Sequence, residues 1–389
     1  MALIPVEEAR KIISNTNFEV KRREKYVEIF QALGKIAVED ILAVKSMPER
    51  SLSAMDGYAI KYDDYLKYGK LRVVGKLYPS TSNIPELKEG ETYYVTTGSP
   101  LPLYADSVVP VENSRLEGEY VIFKGEVKKG KNIREEGEDI NIGQIIIQKG
   151  TEITPYYLGI LIQQKIFHVK VSDLKFTVFA NGDEITSFEN PQKNKIIDSI
   201  SPILIKILEK FGSVKYMGVA KDDLNDVTEK IEKSLEISDV IISVGGSSVG
   251  EKDYVKKAVN KLGEVLFDGV SVNTIKRGSV GRIQGKPILI LPGQVVSAIT
   301  AFHEFGLSVL SNILGTNLKK FIKSTLVEDI YVNHSMDSVY LFNVKGNSAF
   351  PLRWGVGLYS ELAKANGFAI LKRGLTYKKG EEVELQQLI

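Results

Sequence analysis

Three stretches of this chain combine glycines, carboxylates and hydroxyls in a way that suits an anionic ligand. They are Asn181-Gly182-Asp183-Glu184, Gly245-Gly246-Ser247-Ser248-Val249-Gly250-Glu251-Lys252-Asp253, and Pro292-Gly293-Gln294-Val295-Val296-Ser297. Each follows an apolar run and precedes a helical pattern. Glycines there expose backbone N–H groups and allow close approach, and the N-terminus of the next helix favours phosphate or another anion. Asp183, Glu184 and Asp253 add carboxylates suited to a hard cation such as Mg2+ held beside phosphates. The plainer alternative is three tight strand-to-helix connections with capping acids; three in succession weaken it. Familiar phosphate motifs do not match. Gly245–Gly250 is GGSSVG rather than G-x-G-x-x-G, and Gly281-Arg282-Ile283-Gln284-Gly285-Lys286-Pro287 has P-loop glycines at the wrong spacing. No histidine accompanies a G-x-S-x-G elbow, so a serine triad finds no support. Two further polar turns are Ser53-Ala54-Met55-Asp56-Gly57-Tyr58-Ala59 and Thr96-Thr97-Gly98-Ser99-Pro100-Leu101-Pro102.

The elements that must position these loops follow from periodicity. Strands are expected at 174–180, 214–220, 239–244 and 287–291, alternating with helices at 198–211, 222–236, 253–262 and 295–314. Strands alternating with helices of this length imply βαβ units and a parallel sheet, whose ligands bind at the carboxyl ends of the strands. All three glycine-rich loops fall on that edge. Leu224, Val227, Ile231 and Leu235 form one helical stripe. Residues 1–45 read as helical, with Glu19 to Leu33 the main stretch and Gly34 placed to end it. From 46 to 150 short β-rich runs at 71–77, 92–97, 107–111, 120–123 and 144–148 suggest a small β domain. A helix from 155 to about 166 follows, and the last segment returns to short β runs.

Composition narrows the function classes. With 43% hydrophobic and 26% charged residues the chain is an ordinary globular protein, long enough for two to four domains. A net charge of +2 and no basic tail call for neither nucleic acid nor an anionic membrane. The absence of cysteine excludes disulfides, thiolate zinc and a cysteine nucleophile. His168, His303 and His334 are too scattered to suggest a histidine metal site. No apolar run approaches the ~18 residues of a membrane span, and no basic-then-apolar leader opens the chain, so a cytoplasmic location is expected.

At SAMDGYA (53–59), TTGSPLP (96–102), ADSVVPVE (105–112), REEGEDINIGQ (134–144), NGDE (181–184), Asp198-Ser199, VGGSSVGEKDY (244–254), LPGQVVSA (291–298) and ANG (365–367), the sequence resembles the molybdopterin molybdenumtransferases. That family includes the C-terminal part of gephyrin. The resemblance runs nearly end to end and in order. It implies a multidomain, elongated α/β plus β chain: a doubly wound α/β molybdopterin-binding domain (170–318), a small β domain (46–129), a C-terminal β domain (319–389), and a discontinuous linker domain (1–45 with 130–169). It implies a transferase that uses Mg2+ to insert molybdate or tungstate into adenylylated molybdopterin with release of AMP. Catalytic roles are implied for Asp56, Asp183, Glu184, Asp198, Asp253 and Lys276, with Glu184, Asp198 and Asp253 as metal ligands. Thr97, Gly98, Asp139, Gly182, Ser199, Gly245, Gly246, Ser247, Ser248, Gly250, Pro292, Gly293 and Ser297 would bind the pterin nucleotide. Lys276 and Ser297 would face the oxyanion. A homodimer with shared active sites is implied, Asp56, Thr97 and Asp139 coming from the partner subunit; the molybdopterin adenylyltransferase is a candidate partner.

Departures gather at the oxyanion end. The usual K-P-G-K-P is Lys276-Arg277-Gly278-Ser279-Val280, LPGNP is LPGQV, a glycine-serine-glycine turn is Gly355-Val356-Gly357, and D-S-N is Asp198-Ser199-Ile200. A lost lysine and a lost serine would each remove about 1–3 kcal/mol of anion binding. Arg277 and Arg282 are the candidates to compensate, although arginine is a planar fork and lysine a point charge. The competing expectation is a divergent paralogue that binds the pterin nucleotide or a protein partner without inserting metal.

Overall fold

The computed structural model describes residues 3–21, 23–246 and 253–389. The chain forms two compact units. The smaller comprises Asp40–Ile147 with Ile162–Lys165, and the larger comprises Met1–Glu39, Gln148–Leu161 and Ile166–Ile389.

The smaller unit is built on a six-stranded sheet in the order Ser107–Pro110, Gly57–Ile60, Glu91–Val95, Lys70–Leu77, Tyr120–Phe123, Ser114–Glu117. The pairs are antiparallel except Lys70–Leu77 with Glu91–Val95. The SAMDGYA segment enters this sheet halfway along. Tyr58, Ala59 and Ile60 are buried, and a Cβ at Gly57 would lie 2.1 Å from the Val109 carbonyl oxygen, so only glycine lets the two strands pair there.

In the larger unit the α/β domain contains β1 (Leu174–Asn181), α1 (Ser201–Leu208), β2 (Gly212–Ala220), α2 (Leu224–Ile237), β3 (Val240–Gly245), α3 (Tyr254–Leu262), β4 (Glu264–Phe267), β5 (Ser279–Ile283), β6 (Lys286–Leu291) and α4 (Val295–Ala301). The helix that begins as α4 continues through a π-turn at Phe302–Gly306 into α5 (Leu307–Leu314). The sheet order is β2-β1-β3-β6-β5-β4. The first four strands are parallel, as expected, while β5 and β4 add an antiparallel edge. The antiparallel pair arises because Gln284 and Gly285, both at positive φ, turn β5 straight back into β6.

Both faces of the sheet are covered, which is why its strands are nearly continuous apolar runs. Phe176, Val178, Ile242, Val244, Leu289 and Leu291 pack on the side of α1 and α4. Their neighbours Phe179, Ile241, Ile288 and Ile290 pack on the side of α2 and α3. The α2 stripe of Val227, Ile231 and Leu235 is buried as expected. Asp223 caps that helix, its carboxylate accepting the N–H groups of Asn225 and Asp226 at 2.9 Å, an arrangement worth about 1 kcal/mol.

The C-terminal strands Asp337–Lys345, Ser348–Pro351, Phe321–Leu326, Glu382–Gln387 and Gly367–Leu371 close into a ring, the first pairing with the last. A short strand of the α/β domain, Val272–Asn273, adds to this ring in parallel with Asp337-Ser338.

The N-terminal expectation is corrected. Among the described residues of 1–45 only Val6–Asn15 is an α-helix, and within Glu19 to Leu33 the residues Glu24–Glu28 form a strand antiparallel to His168–Ser172. The apparent helical stripe is split, with Val27 and Ile29 buried and the rest of its large side chains turned outward. Tyr26, Phe30 and Leu33 are exposed, and Val27 alone of the strand is buried. A short run rich in β-branched and aromatic residues fits either period, and a distant partner strand decided it.

Candidate functional site

The parallel register fixes where the glycine-rich loops meet. Asn181 at the end of β1 lies opposite Gly245 at the end of β3, and Val244 lies opposite Leu291 at the end of β6. The three strands therefore release their loops side by side, as expected of one sheet edge. Between them lies a hollow of about 730 Å³. Of the residues singled out in the sequence, the structure brings Glu184, Asp198, Ser199, Gly245, Gly246, Lys276, Pro292, Gly293 and Ser297 to its wall. Gly245 and Gly246 have φ of +84° and +70°, and a Cβ on Gly246 would meet the Asn181 side chain at 2.6 Å. Both the turn and the approach require glycine.

A two-residue parallel ladder, Ile185–Thr186 with Ile196–Ile197, sets the acids. The Ile196 N–H donates to the Glu184 carbonyl and the Asp198 N–H to the Thr186 carbonyl, each at 2.9 Å. Glu184 is exposed, whereas Asp198 is buried. Asp198 Oδ1 accepts the Ser201 N–H at 3.1 Å, and Oδ2 accepts the Tyr216 hydroxyl at 2.9 Å. Burial, with the charge of Asp198, holds the Tyr216 hydroxyl protonated far above its ordinary range. Asn181 donates from Nδ2 to Asp222 at 2.9 Å, but its buried Oδ1 has no partner among the described residues. An orphaned buried acceptor costs about 1–3 kcal/mol until a ligand, ion or water completes it. Among the described residues no three His, Asp or Glu side chains gather as a metal cage. Mg2+ is commonly held by one or two carboxylates together with substrate phosphates. Glu184 and Asp198, both on the wall of the hollow, are carboxylates of that kind.

Positive charge comes from the segment between β4 and β5. Lys276 and Arg277 line the hollow, half-buried, and neither has a carboxylate partner among the described residues. Two residues earlier, Thr274 has φ +76°, a strained conformation for a β-branched side chain, and its buried hydroxyl has no partner among the described residues. Of the two arginines considered as substitutes for a lost lysine, Arg277 is the one in the hollow. Arg282 is bound to Glu264 and to the Asn17 carbonyl. Ser279 is fully buried at the start of β5, a position with no room for a solvated ammonium.

Other sequence candidates lie elsewhere. Gly182 and Asp183 line a neighbouring depression of about 330 Å³, where Asp183 accepts the Asp222 N–H at 3.2 Å. Asp253 caps α3 by accepting the Lys256 N–H at 3.2 Å, and it pairs with the Lys256 ammonium at 3.1 Å. Burial holds its carboxyl above the usual range against that neighbour's pull. Ser247, Ser248 and Gly250 lie outside the described residues. Asp56, Thr97, Gly98 and Asp139 belong to the smaller unit. There Asp56 and Thr97 do meet: Asp56 Oδ1 accepts the Thr97 N–H at 2.7 Å and its hydroxyl at 2.8 Å, which holds the Asp56 carboxyl below its usual range. Asp139 is exposed.

Among the wall residues that sequence reasoning missed are Thr274, Trp354 and Tyr359. Tyr359 shares a hydroxyl hydrogen bond with Ser199, and Val356 accepts the Val296 N–H at 2.9 Å, so the segment 354–359 is tied to the sheet edge twice. The signals in sequence were a lone tryptophan and the Gly355-Val356-Gly357 turn, just before a short helix.

The chain is similar to known proteins along most of its length. Residues 4–164 match the family model of the MoeA N-terminal region (domain I and II), and residues 177–312 match one described as a "Probable molybdopterin binding domain". A protein of Methanocaldococcus jannaschii, provisionally named a molybdopterin biosynthesis protein, is 28% identical over 99% of this chain and 98% of its own length. The molybdopterin molybdenumtransferase of Staphylococcus aureus strain COL is 30% identical over 84% of this chain and 80% of its own. The crystal structure of a molybdopterin biosynthesis MoeA protein from Pyrococcus horikoshii superposes with a TM-score of 0.78 at 26% identity, covering 100% of both chains.

Proposed function

The chain belongs to the molybdopterin molybdenumtransferase family, and from that premise we propose that it is a transferase inserting molybdenum or tungsten, supplied as the oxyanion, into adenylylated molybdopterin with release of AMP. Support comes chiefly from one observation: the ends of three adjacent strands, two carboxylates and two cations that lack a carboxylate partner among the described residues converge on a single hollow. Backbone N–H groups at Gly245, Gly246 and Gly293 suit the phosphates of the nucleotide. Lys276 and Arg277 attract the oxyanion and the phosphates, and the half-buried setting makes their charge count for more than it would in water. Glu184 and Asp198 would hold Mg2+, which when bound screens the negative charge of the phosphates. Asp198, fixed by Ser201 and Tyr216, keeps one orientation while substrate enters. Ser297, on the same wall, offers a hydroxyl donor for the oxyanion.

The reading extends to a cytoplasmic homodimer in which Asp56, Thr97 and Asp139 complete the site from the other subunit; the molybdopterin adenylyltransferase is a candidate source of the substrate. Among the described residues no helix is long and apolar enough to cross a membrane. A test supplies purified protein with adenylylated molybdopterin, Mg2+ and molybdate. AMP release together with metal-loaded cofactor is expected; nucleotide binding without release would favour a binding paralogue instead.

A further inference from the structure

Trp354 is the only tryptophan in the chain, and it stands in the wall of the hollow rather than in a core. Its side chain is 36% exposed. The indole is nonetheless held in place. It stacks on the His334 imidazole, ring centroids 4.3 Å apart and planes 36° from parallel, and His334 in turn packs against Tyr340. The backbone beside it is fixed by the tie from Val296 to Val356, and the next turn by the hydroxyl pair of Ser199 and Tyr359. A large aromatic surface, oriented in advance and left accessible beside glycine loops and two cations, lacks one thing: a flat ring to cover it. The rest of the wall mixes glycine backbone, carboxylates and cations with aliphatic side chains such as Ile196 and Ile197, none of which offers a flat ring. The other aromatic residue there, Tyr359, has its hydroxyl engaged with Ser199.

We propose that Trp354 is the platform on which a fused heteroaromatic ring of the substrate, pterin or adenine, stacks. Such rings offer a π-face to an aromatic side chain whatever their hydrogen-bonding edge, and pre-orientation of the platform lowers the entropy lost on binding. This assignment rests on the hollow being the pterin-nucleotide site, and it makes Trp354 a determinant of ring recognition rather than of the chemistry.

A single tryptophan reports directly on the contact. The full-length protein with Mg2+ is titrated with AMP, with neopterin and with ribose 5-phosphate, following tryptophan fluorescence, acrylamide quenching and calorimetric affinity. A ring-bearing ligand is expected to change the emission and shield Trp354 from acrylamide, while ribose 5-phosphate does neither; the ligand that does so identifies the ring. Trp354→Ala is expected to weaken that ligand about tenfold or more and leave ribose 5-phosphate unchanged, with Trp354→Phe in between. Thermal melts of both variants verify folding. Ring ligands that bind with emission and shielding unaltered overturn the stacking role alone, as does an equal loss of ribose 5-phosphate affinity in the variants. Failure of both AMP and neopterin to bind wild-type protein overturns the stacking role and the proposed function together.

Discussion

Replacing Lys276 by methionine keeps most of the side chain's volume and removes its charge from the hollow. Lys276 is half-buried and unpaired among the described residues, so none of its charge is cancelled by a carboxylate neighbour there. A unit charge about 4 Å from an anion is worth roughly 1 kcal/mol in water and roughly 4 kcal/mol at the effective dielectric of a protein surface. A charged hydrogen bond nets about 1.5–3 kcal/mol. Taking about 2 kcal/mol, kcat/KM for the oxyanion falls about 30-fold. Arg277 remains beside it, so activity is lowered rather than abolished. The assay is AMP release at varied molybdate in low salt, repeated in high salt, with Lys276→Arg as control. Salt weakens the wild type more than Lys276→Met, because screening acts on the charge that the variant lacks. Lys276→Arg recovers part of the loss. A folded Lys276→Met within twofold of wild type at low salt would refute the assignment of Lys276 to anion binding.

Glu304 is 1% exposed, holding Arg10 at 2.6 and 3.0 Å and Lys319 at 2.8 Å; Glu304→Gln leaves those cations unneutralised and lowers stability by about 3 kcal/mol, the low end for a broken buried pair because Arg10 reaches solvent. Urea unfolding measures this. His303 accepts the Ile389 N–H at Nε2, so Nδ1 carries the proton donated to the Ile299 carbonyl, and burial lowers its pKa to about 4 from 6.5. The unfolded chain binds that proton first, so the contribution is complete above about pH 6.5 and lost as pH falls toward 4, about 3 kcal/mol in all. His303→Gln flattens that part of the stability profile, read from thermal midpoints across the range. Mixing inactive Asp56→Ala with inactive Glu184→Ala protein restores partial turnover if two subunits share each site; a strictly monomeric active enzyme would defeat that expectation.

Much of the site was legible because its order along the chain is local. Strand, glycine loop and helix follow one another within a few residues, and the parallel ladder aligns the loops wherever β1, β3 and β6 pair. Helix α2 was legible for the same reason: stripe and cap lie in one stretch. What stayed hidden depends on contacts between residues far apart. Glu24–Glu28 became a strand only because His168–Ser172 pairs with it. Trp354 and Tyr359 enter the wall only because the C-terminal ring adds Val272–Asn273 and because Val356 meets the first turn of α4. The orphaned oxygen of Asn181 and the strained Thr274 follow from packing around them, for which an Asn-Gly or Asn-Thr pair in sequence gives no sign. Departures from family motifs were easier to see than to weigh. Position 279 proves to be buried in a strand, and the second cation of the hollow is Arg277.

The most direct test of the transferase assignment is turnover with adenylylated molybdopterin, Mg2+ and either molybdate or tungstate, reading AMP and metal-loaded cofactor in the same reaction. Release of the two in equal amounts is predicted, and the faster oxyanion names the metal. Tight binding of the adenylylated pterin with no AMP and no metal transfer, for either oxyanion, would contradict it.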